Sequence, residues 1–276
     1  MSRGDAQVLL RLLRGQPRRG SLAERLQAFY GPQAAHYDAF RERLLHGRAE
    51  LMERLSPAPG AWLVELGAGT GRNLDFLGER LGSLGRVELV DLCPALLEQA
   101  RRRTRTLSNV RVIEGDAVSY RPERPVDCVY FSYSLTMIPD WEGALHNAVA
   151  MLRPGGRLGV VDFYVSARAP EPGLIRHGPL TRWFWPRWFG HDGVHPNPAH
   201  LPTLRRLLAD HGVTEHRAPV PYLPGLRVPY YCFVGCRTAG LDPCAKRQGP
   251  TRSVRLDGGG AVAGCGDGAE RGATVP

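Results

Sequence analysis

Glu65-Leu66-Gly67-Ala68-Gly69-Thr70-Gly71 closes an apolar run that begins at Ala61, and a helical pattern opens directly after it at Arg72. A strand that ends in a glycine-rich turn before a helix brings its backbone close to a ligand, because glycine has no side chain to obstruct the approach. Which ligand is decided by spacing. A dinucleotide fingerprint needs Gly-x-Gly-x-x-Gly, and counting from Gly67 its third position falls on Arg72. A phosphate-cradling loop is also excluded, since Gly-Lys-Ser/Thr occurs nowhere in the chain. Glu65 adds a sign: a carboxylate there would repel a pyrophosphate and attract a cationic amino-acid moiety or a sulfonium.

Working outward, strand-like and helix-like stretches alternate. Strands are expected at 61–67, 86–92, 110–116, 126–134 and 157–164, and helices at 72–81, 94–105 and 141–152. Strands rich in Val, Leu and Ile that alternate with helices imply βαβ units and a parallel sheet covered on both faces. A further helix at 199–211 and strands at 213–220 and 228–237 complete a doubly wound, mostly parallel α/β sheet of seven strands. Ahead of it, 22–55 carries apolar residues at helical intervals and ends at Ser56-Pro57-Ala58-Pro59-Gly60, so it reads as one or two lead-in helices.

Acids recur at successive strand ends. Asp91, with Leu92 beside it, is placed to accept from two ribose hydroxyls, and Asp116 can accept from an adenine amino group while the backbone at Ala117 reads the ring. One such acid is commonly a helix cap or turn former. With the glycine loop, Gly115-Asp116-Ala117 and Leu152-Arg153-Pro154-Gly155-Gly156, the set resembles the ordered motifs of class I S-adenosylmethionine-dependent methyltransferases. That resemblance implies a Rossmann-like fold, S-adenosyl-L-methionine as cofactor, and Glu65, Gly67, Gly69, Gly71, Asp91, Leu92, Asp116, Ala117 and Ser132 around it.

The acceptor side is read from Val129-Tyr130-Phe131-Ser132-Tyr133-Ser134-Leu135-Thr136-Met137-Ile138-Pro139-Asp140-Trp141. No Asn/Asp-Pro-Pro-Tyr/Phe motif stands there, which disfavours nucleobase amides as acceptors. Tyr130, Phe131 and Ile138 read as sheet packing, and Tyr133 as a residue facing the crevice near the acceptor. Residues 165–198 break the alternation with Trp183, Phe184, Trp185, Trp188 and Phe189, where a substrate lid is expected; core packing or a dimer face is the plainer use of such rings. His191, with Asp192 and His195, reads as a base, a polar lid contact or simply loop.

The chain also resembles the betaine-lipid N-methyltransferases, which methylate the amino group of diacylglyceryl-homoserine three times. The likeness rests on His36-Tyr37-Asp38-Ala39-Phe40-Arg41, Gly47-Arg48, the block from Tyr130 to Trp141, Val161-Asp162-Phe163 and the Trp-rich stretch with His191-Asp192. It implies that Tyr37 covers the cofactor, that Arg48 holds its carboxylate, that the acceptor is an amine-bearing lipid, and that a separate enzyme attaches the homoserine. Other readings of the same core are an amine-bearing small molecule as acceptor, a small-molecule or quinone-type C- or O-methyltransferase, in which Tyr133 or His191 would be the base, and an RNA-binding protein or RNA methyltransferase.

Composition bounds the rest. The chain of 276 residues has a formal charge of +9, yet Lys246 is the only lysine, so the arginine excess looks compositional and no nucleic acid partner is expected. Six cysteines without Cys-x-x-Cys spacing indicate neither a metal site nor a disulfide framework, as in a reducing cytoplasm. The expected organisation is a basic segment at 1–24, a methyltransferase domain at 25–237 with its lid at 165–198, and a disordered tail at 238–276 that is poor in large apolar residues. The amphipathic stretch from Val8 to Arg19 is the candidate contact with an anionic inner membrane surface.

Overall fold

The computed structural model describes residues 19–31, 42–221, 223 and 225–238. The basic stretch from Val8 to Arg18, Tyr37 with its neighbours in 32–41, and the tail from residue 239 lie outside the described residues. Helix α1 (Leu22–Tyr30) is followed by α2 (Arg48–Leu55), β1 (Trp62–Leu66), a 3-10 helix (Arg72–Leu77), α3 (Arg80–Ser83) and β2 (Arg86–Asp91). Next come α4 (Pro94–Thr104), β3 (Val110–Glu114), β4 (Val126–Ser132), a 3-10 turn (Leu135–Met137), α5 (Trp141–Met151) and β5 (Leu152–Phe163). The last elements are α6 (Pro179–Gly190), α7 (His200–Leu207), β6 (Asp210–Pro219) and β7 (Arg227–Cys236).

The seven strands form one sheet in the order β3-β2-β1-β4-β5-β7-β6. β1 pairs in parallel with both β2 and β4, while β7 runs antiparallel between β5 and β6. The strand order therefore reverses between β1 and β4, and in a doubly wound sheet that switch point opens a crevice beyond the carboxyl ends of the strands. The central strands are buried on both faces, in keeping with their Val- and Leu-rich sequences, and they carry Glu65 and Glu88 into the interior.

Alternation along β1 sends Leu63 and Glu65 to one face of the sheet and Val64 and Leu66 to the other. The first face is covered by Leu51, Met52 and Leu55 of α2, and further along by Trp185 and Phe189 of α6. The second is covered by Ala144, Leu145 and Ala148 of α5 and by Leu201 and Leu204 of α7. Arg101, Arg102 and Arg103 occupy the last turn of α4, where they complement the helix dipole. Arg101 and Arg102 pair with Glu98, and Arg103 reaches Asp75.

Three expectations need correcting. The helix expected at 72–81 is a 3-10 helix that stops at Gly78 (φ 55°), with a short α-helix after it, because the left-handed glycine breaks the turn. The helix expected at 199–211 ends at Leu207, since β6 begins at Asp210, while the aromatic run within 165–198 is α6, twelve residues long with Pro186 inside it. A boundary between residues 24 and 25 would cut the first turn of α1. Ser21 caps that helix by accepting from Glu24 N–H, while the Glu24 carboxylate accepts from Ser21 N–H in return.

Candidate functional site

A crevice with about 950 Å³ of empty space, its open mouth included, lies at the β1/β4 switch point. One wall is the glycine loop. Gly67, Gly69 and Gly71 all have positive φ (75°, 56° and 69°), and a Cβ on Gly67 would sit 2.3 Å from the Ser134 Cβ. A side chain is thus impossible at Gly67 without moving β4's exit, which lets this backbone turn tightly over the strand ends. The loop is also tied to β2: the N–H groups of Gly67 and Ala68 both donate to the Val90 carbonyl.

Asp91, at the end of β2, organises the crevice floor. Its Oδ2 accepts from Gly69 N–H and its Oδ1 from Cys93 N–H, each at 2.8 Å. Burial raises its pKa from the ordinary value, against the lowering effect of those backbone donors. One donor per oxygen leaves further lone pairs for a ligand. Leu92 and Cys93 line the crevice beside it. At the end of β3, Asp116 accepts from Val118 N–H at 2.9 Å, an Asx turn that shapes the next wall together with Gly115 and Ala117. Asn147, buried on α5, donates to the carbonyls of Ala117 and Tyr120 and holds that turn in place. Ser132 lines the crevice, its buried hydroxyl without a hydrogen-bond partner among the described residues.

Glu65 corrects the reading from sequence. It does not line the crevice; strand alternation turns it to the α2 face, fully buried, where it accepts from Asn73 Nδ2 and from the Tyr130 hydroxyl at 2.7 Å. Burial pushes its carboxyl up to about 7. Its contribution is indirect, because Asn73, which it holds, does line the crevice. Arg48 stands in the wall at the first position of α2. Its Nε donates to the Leu45 carbonyl at 3.1 Å and its guanidinium lies 5.0 Å from the Phe76 ring. Gly47 makes that placement possible: a Cβ there would lie 2.6 Å from the Tyr230 ring.

The other side of the crevice is built from Tyr133, Ser134, Met137 and Ile138, with Leu22, Leu26 and Tyr30 of α1 across from them. Tyr133 adopts φ 54°, a left-handed conformation unusual for a bulky residue and held by its buried surroundings. Its hydroxyl donates to the His46 carbonyl at 2.6 Å, and burial raises its pKa well above 10. That proton is committed to the His46 carbonyl, which speaks against Tyr133 as a base. Asp162, fully buried, accepts from Thr136 N–H and Oγ1 and fixes the turn that follows β4.

His191 is also corrected. It caps the exposed end of α6 and does not line the crevice, and neither does any other residue of 165–198. The aromatic stretch reaches the wall at second hand, through Phe189 stacked on Phe163 (4.7 Å) and Phe163 against Tyr133 (4.6 Å). Among the described residues, helix α1 lines the crevice with Leu22, Leu26 and Tyr30, beyond the lead-in role expected of it. The signal was present, since Leu22, Leu26 and Tyr30 recur at intervals of four on one helix face.

Residues 63–156 match the protein family described as "Methyltransferase domain". Among curated proteins, the chain is 30% identical over 139 residues to the ubiquinone/menaquinone biosynthesis C-methyltransferase UbiE of an Enterobacter species, covering 47% of this chain and 55% of that one. It is 36% identical over 112 residues to a trans-aconitate 2-methyltransferase of the same organism, covering 41% and 43%. The chain thus spans about half the length of the curated relatives it matches. Among solved structures, phosphoethanolamine N-methyltransferase 2 of Haemonchus contortus, in complex with phosphomonomethylethanolamine and S-adenosylhomocysteine, superposes with a TM-score of 0.62 at 14% identity. That match covers 81% of this chain and 61% of the other, and it shows the shared fold. The family match runs from β1 into β5 and ends before α6.

Proposed function

We propose that this class I, S-adenosylmethionine-dependent methyltransferase methylates the amino group of a lipid headgroup, diacylglyceryl-homoserine, through to the trimethylated betaine. S-adenosylmethionine is the cofactor of the domain, and the crevice fits it: the glycine cradle admits no Cβ at Gly67, and Ser132 offers a buried hydroxyl with no hydrogen-bond partner among the described residues. When bound, it supplies an electrophilic methyl group on a positively charged sulfur. The chain's part is to hold donor and acceptor in line, which alone is worth ~7–11 kcal/mol of barrier. Asp91 takes the ribose hydroxyls, Asp116 and the backbone at Ala117 the adenine, and Arg48 the amino-acid carboxylate, whose planar shape its guanidinium matches.

The observation that carries the amine reading is the chemistry of the acceptor side. Among the described residues that line the crevice, the carboxylates are Asp91 and Asp116, both at the donor end, and there is no histidine. Tyr133 has its hydroxyl donated to His46 O, and Tyr30 directs its own toward Met137 Sδ at 3.3 Å. An acceptor that must lose a proton to react would need a base in this place. A neutral amine attacks with its own lone pair and needs no base in the transfer step; the proton that the methylated ammonium must shed before each of the next two transfers passes to water. The rings of Tyr30 and Tyr133 also suit a product that becomes a quaternary ammonium, which aromatic faces attract by ~0.5–2 kcal/mol each.

A quinone or other small-molecule acceptor is the second reading, favoured by the similarity to UbiE and to the trans-aconitate enzyme. The two separate in one assay. The protein is incubated with methyl-labelled cofactor and, in parallel, diacylglyceryl-homoserine, a quinone precursor, small amines and RNA. Label in the lipid, with successive methyl groups seen by mass spectrometry, is the expected result. Label in the quinone or RNA alone overturns the lipid reading.

A further inference from the structure

Helix α6 has two faces that do different things. Trp185 and Phe189, four residues apart, are buried against the sheet. On the opposite side Leu180 is 73% exposed and Trp183 54%; Trp188, on the flank of the helix, is 40% exposed, and Ile175 just before the helix is 45% exposed. These rings are ordered on the surface: Phe184 stacks on Trp188 at 5.7 Å, and the Arg187 guanidinium lies 4.9 Å from the Trp183 ring. Between Gly173 and Gly190 the chain carries Arg176, Arg182 and Arg187 and no Asp or Glu. Large apolar side chains held at a protein surface in a cationic frame favour a phase that is apolar inside and anionic at its boundary. Tryptophan suits that boundary, pairing an apolar ring with a polar N–H, and arginine suits its phosphates.

We propose that this face of α6 docks the protein onto an anionic lipid bilayer, with the helix lying in the plane of the headgroups. The inference deepens the lipid-headgroup reading and draws its purpose from it. The inner face of the same helix continues as a stack of rings, Trp185 on Phe189 (5.5 Å), Phe189 on Phe163 and Phe163 on Tyr133, which ends in the crevice wall. A helix seated in the headgroup layer would therefore stand one ring stack away from the acceptor site, close to where a bilayer lipid presents its amine. No helix among the described residues is long and apolar enough to cross a membrane, so this contact is of the surface kind.

The test uses the full chain, without a methyl acceptor, and vesicles of phosphatidylcholine with or without phosphatidylglycerol. Sedimentation should show binding to the anionic vesicles that weakens as salt is raised, with tryptophan emission quenched by brominated lipid. Trp183→Ser with Trp188→Ser should lower the bound fraction about tenfold or more, given how much of such binding rests on buried apolar area. Calorimetric affinity for S-adenosylmethionine and the Tm should stay as they were. Arg182→Glu with Arg187→Glu, which spares the buried rings, should remove the salt-sensitive part. Failure of the unaltered chain to bind anionic vesicles overturns the proposal. So does unchanged binding in the tryptophan variant, since the contact would then belong to the Val8–Arg19 stretch, and so does a solution dimer that this variant dissolves. Because no turnover is read, vesicle binding stands or falls apart from which acceptor takes the label.

Discussion

The two sides of the crevice are held by different means. The glycine-loop side is made of backbone: glycines in left-handed conformations, two N–H groups on the Val90 carbonyl, and an Asp91 whose oxygens accept from Gly69 and Cys93. The facing side, where we place the methyl acceptor, is made of side chains from distant segments, with Tyr133 against Phe163, Tyr30 directed at Met137, and Leu22 and Leu26 of α1 in the wall. Backbone geometry tolerates little substitution, whereas packed side chains can be exchanged around a conserved frame. The family match, over 63–156, takes in the glycine loop and the turn after β4 and leaves out α1 and α6.

If that contrast is right, the largest effect should come from the glycine loop. Gly67→Ala places a Cβ 2.3 Å from Ser134 and strains a positive φ as well, so it should cost on the order of 3 kcal/mol of stability and abolish cofactor binding by calorimetry. Gly69→Ala is the control within the loop: the nearest atom to its Cβ is 3.9 Å away, and only the φ of 56° opposes it, a cost of about 1 kcal/mol. Equal losses at the two positions would mean that the close approach at Gly67 is not what matters.

The buried carboxyls give the next largest effect, through pH. Burial lifts Glu65 from 4.5 to about 7 and Asp162 from 3.8 to about 7. In that window the folded chain keeps protons that the unfolded chain has released. Stability is therefore greatest below the unfolded values and falls as the pH rises through 7, by roughly 3 kcal/mol for Glu65. Denaturant unfolding as a function of pH should show this slope, and Glu65→Gln should flatten it. The share of Asp162 should survive the substitution, and a slope that does not change at all would assign the Glu65 share to other groups.

Smaller effects are expected on the acceptor side. Tyr133→Phe loses the hydrogen bond to the His46 carbonyl and keeps the ring, so kcat should fall less than about tenfold, in line with the ~1 kcal/mol of an ordinary hydrogen bond. A fall of several hundredfold would restore Tyr133 as an acid or base. His191→Ala, at an exposed position beyond the end of α6, should leave kcat/KM and Tm unchanged within error.

Much of the glycine-loop wall is legible in the sequence. Gly67, Gly69, Gly71, Asp91, Leu92, Asp116, Ala117 and Ser132 all line the crevice, because each sits at or just after the end of a parallel strand, and those ends converge at the switch point. Glu65 was misplaced for a reason of the same kind: one step of strand alternation sends it under the sheet to Asn73 and Tyr130. The acceptor side was read less well. His191 drew attention as a titratable residue in an aromatic stretch, but helix α6 carries it outward, and a helix face is not visible from composition alone.

What the sequence by itself determined is therefore what short-range spacing controls: the strand and helix alternation, the glycine turn, the acids at strand ends and the exclusion of a dinucleotide. Only the tertiary structure decided which segment closes the crevice, that α6 turns Trp185 inward and Trp183 outward, and that the Tyr133 hydroxyl is spent on His46. The physical reason is separation along the chain. Tyr30 meets Met137 across 107 residues and Tyr133 meets His46 across 87, and such pairs are chosen by packing the whole sheet rather than by any local period.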